Sequence, residues 1–131
     1  MSIENKLKEL LVGARVVRAK NHLLELDNGI ELSLYMSDSD CCACALGDWF
    51  AEDLEAGITN VKVSEPEEYD SGDSYGAVAT ITILHQDKTL ARAEMDADAG
   101  NGGYYFSVLS LEARVGEDIL LDEPILSSMG D

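Results

Sequence analysis

Ser37-Asp38-Ser39-Asp40-Cys41-Cys42-Ala43-Cys44-Ala45-Leu46-Gly47-Asp48-Trp49-Phe50-Ala51-Glu52-Asp53-Leu54-Glu55-Ala56-Gly57 is the stretch whose reading decides the fold class. Leu46, Trp49, Phe50 and Leu54 recur at helical spacing, which predicts an amphipathic helix with those four side chains on one face. The polar run Ser37–Asp40 supplies a helix cap, and Gly57 closes the helix. On that reading the chain carries one main α-helix set among strands. Trp49 and Phe50 are expected in the core; exposed, they would mark a protein interface.

Outward from this segment the pattern is mostly that of strands. Residues 75–84 are rich in Ala, Val, Ile and Thr, the composition of a strand. Gln86-Asp87-Lys88 turns the chain into 89–97, where Leu90, Arg92, Glu94 and Asp96 alternate with Ala91, Ala93, Met95 and Ala97. On the N-terminal side, residues 14–20 read as a strand. Residues 22–27 and 30–36 read as hairpin arms joined at Asp27-Asn28-Gly29, whose Asn and Gly accept positive φ. Residues 2–11 predict a short helix capped by Ser2 and stopped at Gly13. Residues 58–63 and 104–111 read as further strands. Residues 64–74, with Pro66 and Gly72, read as a solvated acidic loop, and 98–103 as a flexible one. The tail 117–131 is acidic, with one short strand around Ile119–Leu121. The expected fold class is α+β: an antiparallel, hairpin-connected sheet with one main helix and a short N-terminal helix.

At 131 residues the chain is expected to form a single domain, 1–131. Nine Lys and Arg face 26 Asp and Glu, a net charge of −17. That balance opposes direct binding to nucleic-acid backbones, which takes clustered bases, and opposes docking on anionic membranes. It leaves a basic protein as a fitting partner. No apolar run approaches the ~20 residues of a membrane helix, and the N-terminus does not read as a signal peptide. Three cysteines within four positions make a poor disulfide framework, so reduced thiols in a cytoplasm are expected.

The cysteines Cys41, Cys42 and Cys44, with His22 or His85, could ligate zinc, but their spacing is not that of paired Cys-x-x-Cys sites. Packing as small apolar residues at a helix start is the plainer reading, and no metal or cofactor is expected. Glu94, Asp96, Asp98 and Asn101 superficially resemble a calcium loop but lack its twelve-residue pattern. Phosphate loops, nucleophile elbows and zinc-protease signatures are absent, which favours a non-enzyme with no catalytic residue.

Asn101-Gly102-Gly103-Tyr104-Tyr105 is the most suggestive segment. Glycines admit close backbone approach, asparagine pairs with base edges and tyrosine stacks on purines. Arg92 and Arg114 are the leading phosphate partners for such a ligand. The candidate ligand-binding set is therefore Asn101, Tyr104, Tyr105, Arg92 and Arg114.

Several segments taken in order carry a resemblance: Leu10-Leu11-Val12-Gly13, Asn28-Gly29, Asp40-Cys41-Cys42, Gly57-Ile58-Thr59 and Asn101-Gly102-Gly103-Tyr104-Tyr105. Over roughly residues 10–112 the chain resembles a family of uncharacterised domains common in actinobacteriophage and bacterial genomes. It departs from that pattern at Ala43, at the extra Gly103 and at Arg92-Ala93-Glu94-Met95. Its layout is more loosely similar to the sponges of the Thoeris anti-defence class. That likeness implies an oligomer sequestering a cyclic ADP-ribose or cyclic nucleotide signal. Three functions are thus expected to compete: a phage-type protein that sequesters a small nucleotide, an acidic DNA-mimic-like inhibitor of a basic host protein, and a cysteine-based metal or redox protein.

Overall fold

The computed structural model describes residues 3–39, 43–70, 74–101 and 107–127. Among these residues one helix, α1 (Ile3–Leu11), precedes ten strands. These are β1 (Val16–Lys20), β2 (Leu23–Leu26), β3 (Ile30–Ser39), β4 (Ala45–Ala51), β5 (Asn60–Val63), β6 (Glu67–Asp70), β7 (Ser74–His85), β8 (Lys88–Asn101), β9 (Ser107–Val115) and β10 (Asp118–Ser127). Strands take up 69% of the described residues and helix 8%, so the α+β expectation is corrected to a two-sheet β architecture. One antiparallel sheet has the order β1-β2-β3-β9-β10. The other runs β4-β8-β7-β5, with β6 also paired to β7.

The overturned element is the expected main helix. Residues 45–51 form β4, an edge strand paired over its whole length with β8, from Ala45 opposite Ala97 to Ala51 opposite Ala91. Period-two burial decides the matter: Ala45, Gly47 and Trp49 face inward while Leu46, Asp48 and Phe50 face out. The helical spacing of Leu46, Trp49 and Phe50 arises because an inward Trp49 is followed at once by an outward Phe50. Trp49 is in the core at 3% exposure, as expected, but Phe50 is 41% exposed.

Gly47 explains why the two sheets can meet here. A Cβ at this position would lie 2.8 Å from Leu34 Cδ1, 3.2 Å from Leu109 Cδ2 and 3.2 Å from Met95 Cγ. Large side chains of the first sheet (Leu24, Leu32, Leu34, Leu109, Leu111) thus pack onto a second sheet lined with Ala77, Ala91, Ala93, Ala97 and Gly47. Ile81, Ile83 and Trp49 fill the rest of that inner face.

Turn chemistry sets the registers. In the β2–β3 hairpin Gly29 adopts φ 91°, and Asn28 Oδ1 accepts the Ile30 N–H at 3.1 Å. Asp27 Oδ1 accepts the Arg15 N–H at 2.9 Å, tying β1 to the same turn. The long β7–β8 hairpin turns at Gln86, φ 56°.

Two expected loops are also strands. Within 64–74, residues 67–70 form β6, which continues the β5 edge along β7 after a break. Pro66 lacks an N–H, so the ladder cannot run through it. Ser64 bridges the gap: its N–H donates to Thr80 O at 2.9 Å and its Oγ accepts the Thr80 N–H at 2.8 Å. The expected loop at 98–103 falls partly within β8, which runs to Asn101. The short tail strand is the ten-residue β10.

α1 closes one open side of the sandwich. Leu7 and Leu11 are fully buried, Glu4 accepts the Val63 N–H from β5 at 2.8 Å, and Lys6 pairs with Glu123 of β10. The helix therefore covers a sheet edge that would otherwise present unpaired backbone. Ser2, its expected cap, lies outside the described residues. Among the described residues no helix is long and apolar enough to cross a membrane.

Candidate functional site

The outward face of the second sheet is organised in rows across its strands, because directly paired residues present their side chains on the same side. One row is Leu46, Asp96, Val78 and Glu67, contributed in turn by β4, β8, β7 and β6. The next is Asp48, Glu94, Thr80 and Ser64. The third is Phe50, Arg92, Thr82 and Lys62. Alternation in β8 thus puts Arg92, Glu94 and Asp96 on this one face, and β4 adds Asp48 directly beside Glu94.

The first two rows line an open groove of about 560 Å³. Its carboxylates are Asp48, Glu65, Glu67, Glu94 and Asp96, and its exposed apolar walls are Leu46, Phe50 and Val78. The face is zoned. Its cations, Arg92 and Lys62, stand in the third row, and Arg92 is already engaged: it lies 5.0 Å over the Phe50 ring and 3.2 Å from Glu52. None of the ion pairs among the described residues involves Asp48, Glu65, Glu67, Glu94 or Asp96. Asp96 accepts a hydrogen bond from the Tyr69 hydroxyl at 3.2 Å. Tyr69 in turn lies across Gly76, where a Cβ would stand 2.5 Å from its hydroxyl oxygen.

Of the ligand set expected from sequence, the described residues Arg92 and Arg114 and the backbone of Asn101 stand apart. Arg92 and Asn101 share β8 but stand nine residues apart, roughly 30 Å along an extended strand. Arg114 is on β9 of the other sheet, beside Glu112 at 3.5 Å. Leu109, Leu111 and Ala113 of β9 are buried, so alternation turns Arg114 to the outer face of the first sheet. Tyr104 and Tyr105 lie outside the described residues, as does the side chain of Asn101. Arg92 and Arg114 are therefore not brought to one pocket.

The other candidate groups separate as well. Cys41 and Cys42 lie outside the described residues; Cys44 is exposed and precedes a strand, β4, rather than the expected helix. His85 Nδ1 is 2.8 Å from Gly57 O, and His22 stands at the far edge of β4 with Tyr35 and Met36. Among the described residues no three His, Cys, Asp or Glu side chains are grouped to hold a metal. Asp98, expected near a calcium loop, instead accepts the Cys44 N–H at 2.9 Å and returns its own N–H to Cys44 O at 2.9 Å. It pins the start of β4 to β8.

Titration is perturbed at structural contacts outside the groove. The Val63 N–H bonded to Glu4 holds that carboxyl below its usual range. The bond from Tyr35 to Asp122, reinforced by burial, pushes the phenol up.

The groove residues Asp48, Glu94 and Asp96 were not singled out by sequence as one site. The β8 alternation did place Glu94 and Asp96 on one face. The missing signal was the neighbour: with residues 45–51 read as helix, nothing placed Asp48 against Glu94.

A family model described as a domain of unknown function, DUF7448, matches residues 9–111. No curated protein and no solved structure matches the chain.

Proposed function

The chain belongs to the DUF7448 family, whose description assigns no activity, and from its geometry we propose that it is a non-enzymatic binding protein that docks a basic partner protein on the outer face of the second sheet. The single observation that carries this reading is the groove itself. Five carboxylates that enter no ion pair among the described residues stand among exposed Leu46, Phe50 and Val78. Carboxylates alone would describe a solvated face; carboxylates interleaved with exposed aliphatic and aromatic side chains suit a partner that brings both charge and apolar stems. The net charge of −17 adds long-range attraction for such a partner. In the setting implied by the resemblance to actinobacteriophage domains, the partner is a basic host protein.

The competing reading, capture of a small cyclic nucleotide, needs cations gathered around Asn101. The roughly 30 Å between Arg92 and Asn101 and the placement of Arg114 on the other sheet speak for the acidic reading instead.

The test is calorimetric titration of the protein with an extended Lys-Val repeat peptide at low and high salt. A Glu-Val repeat and a cyclic dinucleotide serve as controls. The expected result is binding of the cationic peptide alone, weakened by salt and by the double variant Asp48→Asn/Glu94→Gln. Binding of the nucleotide, with indifference to the cationic peptide, would overturn it.

A further inference from the structure

Asp48 and Glu94 are directly opposed in the β4–β8 ladder, so their Cβ atoms lie roughly 5 Å apart. Both are exposed, and neither takes part in an ion pair among the described residues. Like charges directly opposite destabilise a sheet. Arg92, two residues along β8 from Glu94, could have relieved them, but it is drawn to the other side by the Phe50 ring and Glu52. The same face thus displays one guanidinium held by a ring and a carboxylate, and beside it a carboxylate pair holding none among the described residues.

Two carboxylates side by side on adjacent strands present acceptor oxygens along a line. A guanidinium is a planar fork of five donors and can give one edge to each carboxylate; an ammonium is a compact, strongly hydrated point that gains less from a second, spread acceptor. The walls agree with that guest. Leu46, paired with Asp96 in the adjoining row, is 56% exposed, and Phe50, two residues along β4 from Asp48, is 41% exposed. Between them they flank Asp48 with surface on which an aliphatic stem or a guanidinium plane can lie.

We infer that Asp48 and Glu94 form a seat for an arginine side chain of the partner, and that the protein discriminates arginine from lysine there. This rests on the proposed docking of a basic partner and deepens it by naming the residue recognised. The occupant is argued from charge complementarity. A second copy of this chain, itself at −17, would bring carboxylates toward carboxylates.

The experiment uses the full chain and three peptides of one extended sequence, differing only at a central position: arginine, lysine or neutral citrulline. Flanking lysines keep the remaining charge constant. Affinities are measured on the wild type, Asp48→Asn and Glu94→Gln, with melting curves confirming that each variant folds. The expected result is about tenfold tighter binding of the arginine peptide than of the lysine peptide, with the preference collapsing to within about twofold in either variant. Equal wild-type affinities for the arginine and lysine peptides overturn the seat but leave the docking of a basic partner standing. An arginine preference that survives both substitutions overturns it too, because recognition then lies elsewhere on the face. Indifference to all three peptides overturns the seat and the docking reading together.

Discussion

Asp48 and Glu94 face each other across the β4–β8 ladder as a like-charge pair, with no cation bound to either among the described residues. Directly opposed like charges cost a sheet about 0.2–1 kcal/mol relative to a neutral pair. Asp48→Asn should therefore raise the melting temperature by about 1–3 °C at low salt. The gain should shrink as salt screens the exposed pair. The same variant should bind the cationic peptide more weakly. A rise in stability coupled to a loss of binding is what a docking residue predicts; a drop in both would assign Asp48 a purely structural role. Thermal melts and titrations on one preparation decide between them.

Gly47→Ala probes how closely the sheets approach. The added Cβ would stand 2.8 Å from Leu34 Cδ1, inside ordinary contact, with Leu109 and Met95 each at 3.2 Å. Leu34 is buried and cannot swing away freely. Overpacking of this kind costs about 1–3 kcal/mol, more than the backbone entropy saved by replacing glycine. Denaturant melts should show that loss, and adding Leu34→Val should recover part of it. A neutral Gly47→Ala would mean that the sheets part easily.

The same glycine marks the boundary of what the sequence made legible. Hairpin signals with local causes were readable: Asn28-Gly29 makes its own turn, and the alternation in 89–97 needs only one strand to be seen. The helix expected at 46–57 failed because β4 is specified by its neighbours. The inward residues Ala45, Gly47 and Trp49 acquire meaning only opposite Ala97, Met95 and Ala93. Their unequal sizes hide period two from a reader of the chain alone. β6 was hidden by the break at Pro66, which Ser64 spans with side-chain chemistry that no periodicity reports. The candidate site suffered the same fate. Arg92 was noticed for its charge, yet its guanidinium is engaged with Phe50 and Glu52, two residues that the helical reading had placed elsewhere.

α1 should confer an acid-sensitive share of stability. Glu4 accepts the Val63 N–H at 2.8 Å, and that bond holds its carboxyl below the ordinary 4.5. A carboxyl depressed in the folded state contributes stability that is fully present above its unfolded pKa. That contribution is lost as pH falls through the folded value, so its window lies below about pH 4.5. Glu4→Gln should be less stable than wild type at neutral pH, and the two melting profiles should converge as the solution is acidified through that window. Parallel profiles down to about pH 3 would show that the Glu4–Val63 contact does not anchor the helix.

Arg92→Gln separates the two functional readings with one substitution. The side chain is 40% exposed and its partner Glu52 is 48% exposed, so solvent screens the pair and stability should fall by less than about 1 kcal/mol. Removing a positive charge roughly 7 Å along the strand from Glu94 deepens the negative field of the groove. The cationic peptide should then bind about twofold tighter at low salt. A site in which Arg92 holds the phosphates of a small nucleotide predicts the reverse: nucleotide binding that the wild type displays and the variant loses. Titration of both ligands against both proteins distinguishes the two. Weaker binding of the cationic peptide by Arg92→Gln would count against the groove as the docking face, because it would make a cation necessary to a site whose field is otherwise set by carboxylates.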